Sequence, residues 1–215
     1  MSSDYDPPQD PPAILYRDEN LLLVDKPPGL LSVPGKGEHL ADCLLSRLER
    51  DYPGTLLVHR LDRDTSGVMV FAMNRRAQRH LGLQFERRHT TKRYVARVVG
   101  RVEKESGLLD LPLIADWPNR PKQMVDFERG KPARTHWRVL EREAAATRVE
   151  LQPETGRSHQ LRVHMAALGH PILGDPLYAE GDAREVARLM LHAQSLTLRN
   201  PEGGEYMTFR AEVPF

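Results

Sequence analysis

Leu40, Leu44 and Leu48 recur every four residues, with polar positions between them on the other side of a 3.6-residue repeat. This spacing predicts an amphipathic helix over 39–51, stopped before Pro53. Ala77, Leu81 and Phe85 repeat the interval and predict a second helix over 75–88, with Arg75, Arg79 and their neighbours turned outward. A third helix is expected in "SHQLRVHMAALGHP", where Leu161, Met165 and Leu168 share a face. Ser158 is placed to cap it, Gly169 to end it as the C′ residue and Pro171 to stop it. Elsewhere the pattern shortens to strand-length apolar or alternating runs. Ile14–Tyr16 and Leu21–Asp25 read as strands joined at Glu19-Asn20 and ended by Pro27-Pro28-Gly29. "TLLVHR", "GVMVFAMN", "TTKRYVARVVG", "RTHWRVL", "TRVELQP", "RLMLHAQSLTL" and "YMTFR" read likewise. In "TTKRYVARVVG", Tyr94, Ala96 and Val98 take one face and Arg93, Val95 and Arg97 the other. "LPLIADWPNRPKQMV", with three prolines, is expected to be a loop, and residues 1–12, acidic and proline-rich, a flexible arm. Helices and strands interleave irregularly, with no internal repeat and no linker. The pattern therefore predicts one α+β domain over 13–215, with a mixed, largely antiparallel central sheet flanked by helices and loops.

Composition narrows the class without naming a function. With 215 residues, 40% hydrophobic and 28% charged, the chain is ordinary for a soluble globular protein. Its single cysteine, Cys43, excludes a disulfide framework or a cysteine-rich metal site and suits a reducing compartment. There is no apolar run of about 18 residues and no secretory signal at the N-terminus, so a cytoplasmic location is expected. The net charge of +1 is uninformative, but its distribution is not. Residues 1–20 carry five acidic side chains against Arg17 alone. Residues 58–97 carry Arg60, Arg63, Arg75, Arg76, Arg79, Arg87, Arg88, Lys92, Arg93 and Arg97 against Asp62, Asp64 and Glu86. Such a block is either a solvated helix face or the footprint of an anionic partner; arginine in excess of lysine suits phosphate.

Nine histidines invite a metal, but no H-E-x-x-H is present, and His159 and His164, five apart, lie about 140° apart on a helix. Phosphate-binding loops of the G-x-x-x-x-G-K-[ST] and G-x-G-x-x-G types and a G-x-S-x-G elbow are also missing. Neither a metal nor a cofactor is expected. What remains is "HRLDRDTSG", His59–Gly67, which on its own reads first as a solvated loop of paired charges and only second as the setting for a working aspartate.

Several longer segments bear on that choice. "HRLDRDTSGVMVFA", "KRYVARVVG", "GKPARTHWRVL", "ETGRSHQLRVHMAALGHPILGDPLY" and "LMLHAQSLTL" together resemble the RluA family of RNA pseudouridine synthases, from about Ala13 to the C-terminus. "DWPNRPKQ" and the N-terminal "YDPPQDPPAILYRDENLLLVDKPPGLLSVPGKGEH" resemble its RluA branch, which lacks the S4 RNA-binding domain of other relatives; none is expected here. The resemblance implies a cofactor-free isomerase acting on RNA, with Asp62 as catalytic carboxylate, Tyr94 as active-site aromatic and Arg162 as the arginine paired with the aspartate. Arg60 would contact RNA and fill the place of the displaced base. Arg75, Arg76, Arg79, Arg87, Arg88, Lys92 and Arg93 would hold phosphates, and Asp64 would brace the loop. The branch acts on a tRNA anticodon stem-loop and a 23S rRNA hairpin, so those are the expected partners, with no membrane and no obligate protein partner. An N-glycosidase, a non-catalytic RNA-binding protein and a protein–protein module are the rival readings. The first would release free uracil, the second would not need Asp62, Tyr94 and Arg162 together, and the third would bind no RNA.

Overall fold

The computed structural model describes residues 5–215. It has the expected α+β composition, with twelve strands and three α-helices among the described residues. The chain forms two compact units, one from the segments up to Lys92 and Ala193–Pro214, the other from Arg93–His192 with Phe215. It passes between them twice, inside β5 (Thr91–Val99) and inside β11 (Leu191–Arg199).

In the first unit, β1 (Ala13–Arg17), β2 (Leu21–Lys26), β4 (Ser66–Ala72) and β11 lie in that order, with β12 (Tyr206–Arg210) on β11 and the two-residue β3 (Leu56–Leu57) on β4. β2 runs antiparallel to β4, from Leu21 opposite Ala72 to Lys26 opposite Gly67. Every residue of β4 is buried, which explains its nearly unbroken apolar run: both faces are covered. Leu21, Leu23, Val68, Val70 and Ala72 share a cluster with Ala77 and Leu81 of α2 (Arg75–Glu86) and with Leu196, Leu198 and Phe209. Leu22, Val24, Met69 and Phe71, on the alternate positions, are fully buried as well. At the start of β4 the chain passes so close to Ala193 that a Cβ on Gly67 would lie 2.3 Å from its carbonyl oxygen. Gly67 also has φ +114°, so only glycine fits there.

Helix α1 is shorter than the leucine repeat predicts. It spans Leu44–Asp51, preceded by a 3-10 turn at Glu38–Leu40. Cys43 caps it, its sulfur accepting from the Ser46 N–H at 3.4 Å while the Ser46 hydroxyl accepts from the Cys43 N–H at 3.1 Å, so the helix begins after Leu40. Within the segment expected to be an arm, Tyr5 and Pro8 make hydrogen bonds to the rest of their unit. The Tyr5 hydroxyl accepts the Leu31 N–H at 3.0 Å and donates to the Asp42 carbonyl at 2.9 Å, and Arg47 donates to the Pro8 carbonyl at 2.7 Å. The rest of that segment, residues 1–4, lies outside the described residues.

The second unit holds the antiparallel order β5, β10 (Ala146–Pro153), β9 (Arg134–Arg142), β6 (Ser106–Asp110). Ala96, Val98, Val149 and Leu151 form its core with Leu161 and Met165 of α3 (Gln160–Ala167), and Tyr94 packs against that cluster, on the face the alternation assigned to it. The proline-rich segment expected to be a loop is instead a hairpin, β7 (Leu113–Ala115) with β8 (Gln123–Val125). Its ladder escapes the prolines, since Pro118 and Pro121 lie between the strands. Ser158 is not the cap of α3: His159 occupies that position at φ 52° and no side chain caps the helix. The far end is as read, with Gly169 at φ +91° and the Gly169 and His170 N–H groups returning to the Ala166 and Met165 carbonyls at 3.0 Å each.

Candidate active site

Asp62 lies half-buried in the connection between β3 and β4, and the backbone around it is fixed by side chains distant in sequence. The Ser32 hydroxyl donates to the Leu61 carbonyl at 2.6 Å and accepts the Leu61 N–H at 3.2 Å. The Asp62 carbonyl accepts the Thr65 N–H at 3.2 Å, closing the turn. Beneath the turn lies Lys26, fully buried, whose ammonium donates to the carbonyls of Pro27, Arg63 and Thr65 at 2.9, 2.8 and 2.9 Å. A buried ammonium needs such partners, and here they are the backbone on both sides of Asp64. Neither Ser32 nor Lys26 is picked out by the sequence reading. The signal for Lys26 was a lysine ending the apolar strand "LLLVDK". Asp64 itself is engaged by Arg63, at 2.9 and 3.2 Å, in a local ion pair.

The other end of the motif is tied to α2. His59 Nε2 accepts the Val70 N–H at 3.1 Å, which requires that nitrogen to be unprotonated, and the ring stacks on Phe85 with centroids 4.5 Å apart. Burial, with a smaller contribution from Lys92, pushes the His59 pKa down to about 3. Gln78 of α2 donates to the Leu57 carbonyl at 2.9 Å. Asn74 caps the helix by accepting the Ala77 N–H at 2.9 Å. Ala77 and Leu81 face inward, so Arg75, Arg76 and Arg79 are exposed, as are Arg87 and Arg88 just beyond the helix and Arg60 beside the Asp62 turn. Two members of the basic block differ from the rest. Lys92 is half-buried, and its pKa is lowered by burial and then by Arg88. Arg93 lies 3.4 Å from Glu150, a carboxylate that also takes Arg138 at 2.8 Å, so it is committed to an ion pair within its own unit.

Asp62 and Arg60 belong to the first unit, Tyr94 and Arg162 to the second. Arg162 is buried in α3, and its Nε and Nη2 donate to the two oxygens of Asp175 at 2.7 Å each. Asp175 also accepts the N–H groups of Leu177 and Tyr178 at 2.9 and 3.1 Å. The bidentate partner of the arginine within its unit is thus a residue of "GDPLY" to which the sequence reading gave no role. Around it α3 is locked by polar bonds. Gln160 donates to the Arg134 carbonyl and the Thr135 hydroxyl at 3.0 Å each and accepts from Thr155 at 2.7 Å. His164 Nε2 donates to the Leu111 carbonyl at 3.0 Å while its Nδ1 lies 2.9 Å from the Thr135 hydroxyl, and burial lowers its pKa. The short helix therefore carries Arg162 at a fixed position.

A carboxylate on an immobilised turn, next to a helix whose outer side is arginine, suits chemistry on a polyanion. An acid so held is capable of covalent or proton-transfer work, and exposed arginines of holding phosphate. That is the outline of a nucleic-acid-modifying enzyme. The model of the RNA pseudouridylate synthase family matches residues 20–167, and the chain belongs to that family. It is 56% identical over 214 residues to the dual-specificity RNA pseudouridine synthase RluA of Escherichia coli K12, spanning 98% of both chains. It is 53% identical over 206 residues to the protein of that name from Vibrio vulnificus, covering 93% of this chain and 82% of the relative. Among solved structures, human RNA pseudouridylate synthase domain containing 1 superposes with a TM-score of 0.79 at 30% identity, covering all of this chain and 86% of the other. Human RNA pseudouridylate synthase domain containing 4 gives 0.75 at 28% identity, covering 94% and 88%.

Proposed function

We propose that the protein converts uridine to pseudouridine in two RNAs, a tRNA anticodon stem-loop and a hairpin of 23S rRNA, using Asp62 as the catalytic carboxylate. The observation that carries the reading is the cradle of Ser32 and Lys26 around Asp62, in a chain 56% identical to a dual-specificity enzyme. The reaction breaks the N1–C1′ bond, turns the uracil and joins C5 to C1′. The proton leaving C5 goes to solvent and N1 gains one, so no atoms are exchanged with a cofactor. An ionised aspartate serves this exchange either by adding to C6 or C1′ or by removing the 2′ proton to give a glycal. Tyr94 is assigned the face of the uracil, and Arg162 the role of charge partner to the working carboxylate. A uridine within a stack cannot be reached, so the target must be flipped out, with Arg60 taking its place. The arginines of α2 hold the flanking phosphates. Such contacts position the loop without reading its bases, which permits two RNAs of similar loop shape. A cytoplasmic location goes with these substrates, and among the described residues no helix is long and apolar enough to cross a membrane.

The test uses isolated stem-loops of both RNAs carrying 5-tritiated uridine. Wild-type enzyme should release tritium from each, and Asp62→Asn should release none while still binding both. Turnover of one RNA alone would reduce the assignment to a single-substrate enzyme, and near-normal turnover by Asp62→Asn would remove Asp62 from the chemistry.

A further inference from the structure

We propose that the β7–β8 hairpin and the turn after it form a second RNA contact, in which Trp117, Arg120 and Phe127 stack an unpaired nucleotide of the substrate while Lys122 and Lys131 hold the adjoining phosphates. The inference rests on the RNA-modifying function proposed above and adds a binding element to it.

Phe127 and Trp117 are the two most exposed large hydrophobic residues described, at 75% and 65%, and Met124 is exposed nearby on β8. Exposed aromatic side chains in one short segment mark a contact surface rather than a core. The Arg120 guanidinium lies 3.0 Å from the centroid of the Trp117 ring, so the tip presents a layered plane of indole and guanidinium. Unpaired RNA bases are held by stacking on such planes. The charges favour the same partner. Two of the three carboxylates here are engaged, Asp116 by the Asn119 amide at 3.0 Å and Asp126 by Arg129 at 3.0 Å and the N–H groups of Glu128 and Arg129, while the third, Glu128, is exposed beside Phe127. Among the described residues Arg120, Lys122 and Lys131 have no carboxylate partner. Free cations beside exposed rings suit a polyanion that also offers π-faces, better than an apolar protein surface.

The base of the hairpin is rigid. Leu113 and Val125 pack with Ala133 and with Val163 of α3. The Gln123 N–H donates to the Tyr178 hydroxyl at 2.8 Å, and Lys131 exchanges backbone bonds with Leu113 at 2.8 and 3.0 Å. Val163 adjoins Arg162 in sequence, and the Arg162 guanidinium lies 5.2 Å from the centroid of the Tyr178 ring. A nucleotide stacked at the tip is thereby set at a constant offset from Arg162.

The chain has two tryptophans, and Trp137 is only 5% exposed, so quenching of emission by bound RNA reports Trp117. The full-length Asp62→Asn variant, titrated with an anticodon stem-loop RNA, should lose a large part of its emission, and the same variant carrying Trp117→Phe should show no such loss. In otherwise wild-type enzyme, Trp117→Ala should raise KM about ten- to a hundredfold with kcat changed less than about threefold, and Trp117→Tyr should restore most of the loss. Circular dichroism checks that each variant is folded. Unchanged emission on RNA binding, together with an unchanged KM for Trp117→Ala in an enzyme that turns over RNA, overturns the hairpin contact and leaves the proposed function standing. Emission that changes with protein concentration in the absence of RNA would show a second copy covering the patch, and the proposal would fall. A wild-type enzyme that modifies no RNA would sink both readings.

Discussion

Lys26 decides whether Asp62 has a fixed place to work from. Its ammonium satisfies three carbonyls that no water can reach easily, and two of them, Arg63 and Thr65, belong to the turn that follows Asp62. Lys26→Met keeps the stem and removes the donors, which should cost roughly 3–5 kcal/mol by leaving buried acceptors unmet. Urea unfolding checks the stability, and single-turnover tritium release should show chemistry slowed more than RNA binding is weakened. An equally stable, fully active variant would contradict the cradle. His59 makes a second residue-scale prediction, on pH. Its folded pKa of about 3 lies below the ordinary 6.5, so between these values the unfolded chain binds a proton that the folded chain does not. Its contribution is complete above about pH 6.5 and drains away as the pH falls towards 3. Urea midpoints at pH 7 and pH 5 should therefore fall more in wild type than in His59→Asn, whose amide oxygen can accept in place of Nε2 but does not titrate. His164, lowered in the same direction, leaves the variant a residual slope. Equal falls in both proteins would remove His59 from the acid response.

Helix α2 is the element on which phosphate binding is proposed, and it was legible in the sequence nearly to the residue. Its apolar repeat and Asn74 cap are both local, and local signals survive folding unchanged. Helix α1 was misread at its start because Leu40 fits the repeat while the decisive cap is Cys43, a residue type that seldom serves there. The β7–β8 hairpin was hidden by its prolines, and the Asp62 cradle by sequence distance, since no local pattern can say that Lys26 and Ser32 will meet residues 61–65. Asp62, Tyr94, Arg162 and Arg60 were named only because whole segments resemble a family. The structure adds which charges are already committed. Arg76 and Arg79 are exposed and carry no ion pair among the described residues, whereas Arg93 is bound to Glu150. Replacing both Arg76 and Arg79 with glutamine should lower the slope of log affinity against log salt by roughly 1.4–1.8, the amount for two lost phosphate contacts. Arg93→Gln should lower it by less. Binding titrations of one stem-loop at several salt concentrations make the comparison, and equal slopes for all three proteins would disprove a phosphate-binding α2.

At the scale of the whole molecule, the first compact unit is not a continuous piece of chain. The first closes its sheet with β11 and β12, and its core takes Leu196, Leu198, Phe209 and Ala211 from them. A fragment of residues 1–92 lacks that side of the core and should not fold alone. Adding a separate peptide of residues 193–215 should restore helix signal if the missing strands are what it needs. A cooperatively folded 1–92 fragment in the absence of the peptide would show the later strands to be dispensable. The close approach of Gly67 to Ala193 extends this to the time of birth. Translation delivers Lys26, Ser32 and Asp62 first, and the strand against which β4 is seated is made only after all three. A nascent chain still tethered to the ribosome by that strand has its aspartate without a finished seat.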